Sequence, residues 1–218
     1  MTKNILTVII LLVIVLGVSG CMDDIKEEKK IEKKLIKGSP DESNYQLSQK
    51  YFEEANYKEA LKYDLKQLEE DLKYYKEQSA EVSLDYNNIG LDYSKLKEYD
   101  NALNYYNKAL KIDNIVFDKN STERATTYYN IGAIYDKLND YNTSLRFYKK
   151  ALNIDKDEDN ILSSYKDIAR VYSTLKNYSF ALKYYKQALR LELKLLEKDD
   201  EEIFETQQAI AELKKKLL

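Results

Sequence analysis

The sequence predicts an all-α protein built as a stack of helical hairpins, and three observations predict it. Four tyrosines recur at one spacing in three successive stretches: Tyr86, Tyr93, Tyr99 and Tyr106; Tyr128, Tyr135, Tyr141 and Tyr148; Tyr165, Tyr172, Tyr178 and Tyr185. The stretches are offset by 42 and then by 37 residues. Within a stretch the apolar residues fall three, four and seven apart, as in Tyr86, Ile89, Tyr93, Leu96 and again in Ala102, Tyr106, Ala109, Leu110. That is helical periodicity rather than strand alternation. Short polar turns at Glu98-Tyr99-Asp100, Asp140-Tyr141-Asn142 and Asn177-Tyr178-Ser179 divide each unit into two helices. A hairpin of this size cannot bury its apolar face alone, so self-similarity at a fixed period predicts that the units stack.

The chain opens with a separate element. Lys3 precedes an apolar run from Ile5 to Val18, and Val18-Ser19-Gly20-Cys21 follows. A charged start, an apolar core and small residues before a cut describe a secretory signal over residues 1–20. Cys21 is the only cysteine of the chain, and its setting resembles a bacterial lipobox, in which that cysteine becomes the lipid-bearing first residue. The alternative is that the segment stays as an uncleaved anchor. Either reading puts the remainder on the extracytoplasmic side of a membrane, with Lys3 on the cytoplasmic side as the positive-inside rule expects. Residues 21–38 are dense in Lys and Glu and read as a solvated tether; mixed charge argues against a membrane-surface helix.

Ser39, Pro40 and Glu42 then make a helix start, with a cap, a proline at the first helical position and a capping-box acid. A first, weaker repeat follows, with Leu47, Ser48, Tyr51, Tyr57, Ala60 and Leu68, and with Asn44 and Asp64 where the later units have tyrosine. Four repeats are expected over residues 39–197. Asp100, Asn142 and Ser179 are expected to cap the second helices of their units. Residues 198–218 read as a last helix that covers the open end of the stack with Ile203, Ile210, Leu213 and Leu217, and Lys214 to Lys216 suit its C-terminal dipole.

Gly90 and Gly132 stand at one register inside a helix, where glycine costs about 1 kcal/mol relative to alanine. Close approach of the two helices of a hairpin explains them, and Ser48, Ala169, Ala102 and Ala181 fit as further small structural positions. The order aromatic, Ile-Gly, Tyr, Tyr, Ala, Tyr, Ala-Leu resembles the tetratricopeptide repeat. Units longer than that family's period of about 34 residues are similar to those of kinesin light chain and of the peptide-sensing receptors of Gram-positive bacteria. The resemblance implies a right-handed superhelix with a concave face lined by the first helix of each hairpin. It also implies that an asparagine just before the small position holds the backbone of a bound peptide. Asn88 and Asn130 occupy that register, whereas Gln46 and Asp167 depart from it. Tyr129, Lys95, Lys137 and Arg170 are placed to add aromatic and cationic contacts.

Composition removes other functions. With Lys3 gone with the signal, 34 basic residues face 38 acidic ones, which is not the balance of a nucleic-acid binder. The chain has no histidine, and its one cysteine belongs to the signal, so common zinc sites, Cys/His catalysis and Ser/His/Asp triads lack their residues. Five glycines form no phosphate loop. Asp155 to Asp159 lacks the central glycine and distal glutamate of a calcium loop, and the other acid runs read as solvated turns. No catalytic residue, cofactor or metal is expected. Of three sequons, at Asn120, Asn142 and Asn177, only Asn120 lies in an open polar stretch. The sequence therefore points to a membrane-anchored scaffold that holds a peptide or helix of a protein partner in its groove. The other reading is an envelope assembly factor acting through its convex face or through self-association.

Overall fold

The computed structural model describes residues 43–197 and 200–218, and within them the chain forms nine helices and no strand. They are α1 Ser43–Glu53, α2 Tyr57–Tyr74, α3 Ala80–Lys95, α4 Tyr99–Val116, α5 Thr122–Lys137, α6 Tyr141–Ile154, α7 Glu158–Thr174, α8 Tyr178–Leu195 and α9 Glu201–Leu217. Each helix packs on the next, and the first helices of neighbouring hairpins also touch, α3 on α5 and α5 on α7. The signal segment, Cys21, the tether and the Ser39/Pro40/Glu42 capping box lie outside the described residues. In α9, Ile203, Ile210 and Leu213 are buried as expected, together with Thr206. Leu217, by contrast, is exposed at the helix end.

All four hairpins turn in the same way. Ala55, Lys97, Asn139 and Lys176 have positive φ, 57° to 63°. Each sits in a paired hydrogen-bond pattern that closes the first helix, as in Glu98 N–H to Tyr93 C=O (2.9 Å) and Lys97 N–H to Ser94 C=O (3.0 Å). This is the Schellman ending, usually built on glycine. The second helix then starts at once with a tyrosine. The caps are consequently Glu98, Asp140 and Asn177, two residues ahead of the expected Asp100, Asn142 and Ser179. Asp140 accepts from the Thr143 N–H at 3.1 Å, while Glu98 and Asn177 make no side-chain cap bond. The left-handed residue reverses the chain so tightly that Asp100, Asn142 and Ser179 already lie inside the first turn.

Within each hairpin a ring of the first helix stacks on a ring of the second. The pairs are Tyr51 with Tyr63, Tyr93 with Tyr105, Tyr135 with Phe147 and Tyr172 with Tyr184, at centroid distances of 5.5, 5.5, 5.8 and 5.8 Å. In the last three units a third ring, Tyr86, Tyr128 or Tyr165, tilts onto the same partner. Tyr93, Tyr135 and Tyr172 thus have equivalent surroundings, which is what a true repeat requires. Offset-stacked rings contribute about 0.5–1.5 kcal/mol per pair beyond their buried area. Lys66, Lys108 and Lys150 lie over the second-helix ring of their units at 4.9, 4.6 and 5.2 Å, covering its face with a cation.

The two helical glycines face a different ring. A Cβ on Gly90 would sit 2.7 Å from two ring carbons of Tyr106, and one on Gly132 would sit 2.9 Å from Tyr148. Both tyrosines are almost wholly buried. In the last unit the register holds Ala169, and its counterpart ring Tyr185 is only half-buried. Gly90→Ala gains about 1 kcal/mol of helix propensity but forces Tyr106 aside at about 1–3 kcal/mol. Thermal unfolding should show net destabilisation for Gly90→Ala. A rise in melting temperature would mean that the ring does not set the spacing.

At three of the four joints between neighbouring hairpins an acid is buried, and at the third joint its counterpart Asp155 is half-buried. Asp71, Asp113, Asp155 and Glu192 share one register near the end of the second helices, and Asp85, Thr127, Ser164 and Thr206 share one on the next first helix. Thr127 donates to Asp113 at 2.7 Å, Ser83 donates to the other Asp113 oxygen, and Thr206 donates to Glu192 at 2.8 Å. Lys166 lies 3.2 Å from the fully buried Glu192. At the third joint the 37-residue offset shortens α6, and Asp155 instead receives the Lys156 and Asp157 N–H groups. At the first joint the hydroxyl is replaced by a carboxyl, so Asp71 meets Asp85, one of whose oxygens is buried without a partner.

Burial and the facing Asp71 push the Asp85 carboxyl up to about 8. Its folded value lies above the ordinary 3.8, so the folded chain holds the proton more tightly than the unfolded chain. This contribution to stability is complete below about pH 4 and is lost as pH rises through about 8. Asp85→Thr restores the hydroxyl of the other joints and removes an orphaned oxygen that costs about 1–3 kcal/mol. The variant should melt higher than the parent, with a larger gain at pH 9 than at pH 5. An equal gain at both would disconnect the joint from the carboxyl pair.

Candidate functional site

The first helices α3, α5 and α7 carry the residues expected to meet a ligand. Asn88 and Asn130 are half-buried on α3 and α5, one residue ahead of the buried Ile89 and Ile131. Among the described residues no side chain hydrogen-bonds either amide. The amide next door behaves otherwise: Asn87 donates to Thr127 at 3.0 Å and to the Ser83 carbonyl at 3.3 Å, linking α3 to α5. Sequence spacing does not separate Asn87 from Asn88. Their partners do, because a turn of one residue on a helix moves a side chain by about 100° and from the joint to the open side.

Tyr129 and Arg170 belong to one intramolecular chain of polar contacts. The Tyr129 hydroxyl donates to Asp167 at 2.5 Å, and Arg170 donates to Asp167 at 3.0 Å and to the buried Asp136. Burial, then the Asp167 charge, holds the Tyr129 hydroxyl well above the ordinary phenol range. Its ring leans on Tyr148 at 5.2 Å. This network fastens α5 to α7, and Asp167, at the asparagine register of the last repeat, is used up in it. Arg170 keeps about half of its side chain exposed, so its outer face is what remains for a ligand. Lys95 is exposed with its ammonium 5.6 Å over the Phe52 ring of α1, and Lys137 is exposed at the same register of the next repeat.

At the start of the stack a cleft of about 190 Å³ opens between α1 and α3. Asn88 lines it, with Tyr45, Ser48, Gln49, Phe52 and Leu91, and with the buried acids Asp64 and Asp92. Asp64 stands where the next units have Tyr106 and Tyr148, and Asp92 where they have Ile134 and Val171. A reading of acidic runs as solvated turns does not find these acids, since both are isolated in apolar stretches. Burial and the Asp64 charge push Asp92 up to about 8, and Asp64 is raised by burial against the hydrogen bonds of Ser48 and Asp92.

The architecture is that of a helical-repeat scaffold, a class whose members work by holding other proteins. The tetratricopeptide repeat profile matches residues 42–115 and 84–157, a second profile of the same repeat matches residues 164–200, and the chain belongs to that family. No curated protein matches the chain. Among solved structures it is similar to the nearly identical TPR-like repeats of a putative kinesin light chain from Podosopora anserina. The two share 13% identity at a TM-score of 0.68, with 80% of this chain and 85% of that one covered. It is also similar to BtubC (BKLC) from P. vanneervenii, at 19% identity and a TM-score of 0.70, with 81% of this chain and 72% of that one covered. These likenesses establish the right-handed superhelical stack, and members of the tetratricopeptide repeat family are generally non-catalytic scaffolds for protein-protein interaction.

Proposed function

We propose that this protein is a membrane-anchored lipoprotein that holds an extended peptide or a helix of a partner protein along the face made by α3, α5 and α7. The observation that carries the reading is the pair Asn88 and Asn130. They share one register on adjacent first helices, and both amides are unengaged where their neighbours Asn87, Tyr129 and Asp167 are spent within the fold. An amide offers a donor and an acceptor together, so a row of them pairs with peptide backbone whatever its side chains. Lys95 and Lys137, at one register and exposed, add positive charge to the same side. Anchoring rests on Val18-Ser19-Gly20-Cys21, and stable anchoring needs more than one acyl chain.

Crosslinking in native membranes followed by partner identification tests the groove. Asn88→Ala with Asn130→Ala should lower recovery of the partner about tenfold or more at unchanged helix content, and unchanged recovery would dispose of the reading. Light scattering should show a monomer; a concentration-dependent dimer would favour assembly by self-association. Cys21→Ser should release the chain from the membrane fraction.

A further inference from the structure

We infer that the cleft between α1 and α3 is a subsite for one basic side chain, lysine or arginine, of the partner peptide. The inference deepens the groove reading and rests on it. Asp92 lines this cleft with no solvent exposure, and its carboxyl oxygens have no hydrogen-bond donor apart from the facing Asp64 carboxyl, itself an acid. Asp64 lies beside it with Ser48 as its hydroxyl partner. Two acids have been placed here at registers that hold tyrosine and isoleucine or valine elsewhere in the stack, where apolar side chains would pack without penalty. A buried carboxylate without a partner is costly, and an ammonium or guanidinium supplies the missing donors.

The walls fit such a group. Tyr45, Phe52 and Leu91 offer apolar and aromatic surface for an aliphatic stem, with the acids at its end. A volume of about 190 Å³ lies below the roughly 300–1,000 Å³ of sites for drug-sized ligands, so it suits one side chain rather than a whole small molecule. Asn88 lines the same cleft, which makes the subsite continuous with the amide row that takes peptide backbone. α1 is the first of the described helices and packs on α2; because Asp92 has no solvent exposure, the proposed side chain reaches it only if α1 shifts outward. The other titratable groups facing Asp92 are Asp64 on α2, Glu53 on α1 and Tyr106 on α4, with Lys95 one turn along α3. None of these supplies Asp92 with a hydrogen-bonding cation.

The test is ligand-observed NMR on the full chain with the peptide acetyl-Gly-Gly-Lys-Gly-Gly-amide, its counterpart carrying acetyl-lysine, and n-butylamine. The lysine peptide should bind at least tenfold more tightly than the acetyl-lysine peptide, and Asp92→Asn, which keeps the shape of the side chain, should abolish the difference. Asp64→Asn serves as the second variant should Asp92→Asn lose helix content. Equal binding of the two peptides, or no binding of either, overturns the subsite. Tighter binding of n-butylamine than of the lysine peptide also overturns it, by assigning the cleft to free amines. Asn88→Ala with Asn130→Ala should weaken both peptides alike, so loss of that effect strikes the amide row, whereas loss of the lysine preference strikes the subsite alone.

Discussion

A carboxyl group buried between one hairpin and the next, at three of the four joints, is what the stack depends on. A helical hairpin buries one face by itself and leaves the other to be completed by a neighbour. Here the completing contact includes an acid at one register, and its fate differs from joint to joint. Asp113 receives hydroxyls from Ser83 and Thr127 on its two oxygens, while Glu192 receives Thr206 and lies beside Lys166 on one oxygen and leaves the other buried without a partner. Asp71 meets Asp85 instead, with Gln67 as its one amide donor at 3.0 Å. Burial raises both carboxyls, and the Asp71 charge raises Asp85 further, so a proton kept by the pair favours this joint and the first hairpin is the part of the stack that answers most to pH.

Inside each hairpin a second constraint fixes the distance between helices. Tyr106 and Tyr148 sink against glycine backbone, and the stacked pairs Tyr93 with Tyr105 and Tyr135 with Phe147 hold the opposite side. Rings on both flanks of a helix pair leave little freedom to slide, which suits a scaffold whose purpose is to keep polar groups in a row. The first hairpin again departs: Ser48 and Asp64 replace the glycine and the ring. The cleft beside Asn88 opens at this same end of the stack, where Ser48, Asp64 and Asp92 stand, so the hairpin with the weakest joint is also the part with chemistry to offer a partner.

Much of this was legible in the sequence, and what was not has physical reasons. The tyrosine registers were legible because stacked units repeat their buried side chains, and Gly90 and Gly132 because glycine inside a helix is costly enough to need a cause. The second-helix rings Tyr63, Tyr105, Phe147 and Tyr184 escaped, since one is phenylalanine and the last three sit next to the more regular Tyr106, Tyr148 and Tyr185. The caps were misplaced because Ala55, Lys97, Asn139 and Lys176 adopt a left-handed turn without the glycine that would advertise it. Asp71 and Asp155 stand in acidic runs that read as solvated, and Asp113 and Glu192 carry no local signal; the shared register shows only when positions 71, 113, 155 and 192 are aligned. Asn88 and Asn130 were found by resemblance. That Tyr129 and Arg170 are held by residues 38 and 34 positions away depends on how two helices face each other, which no local pattern records.

Native-state hydrogen exchange, compared at pH 5 and pH 9 after allowance for the intrinsic rate, tests the role of the joints most directly. Amides of α1 and α2 should lose protection at pH 9 while α5, α6 and α8 keep theirs, because only the first joint relies on a shared proton. Uniform protection at both values, or loss that begins at the Glu192 joint, would contradict the account.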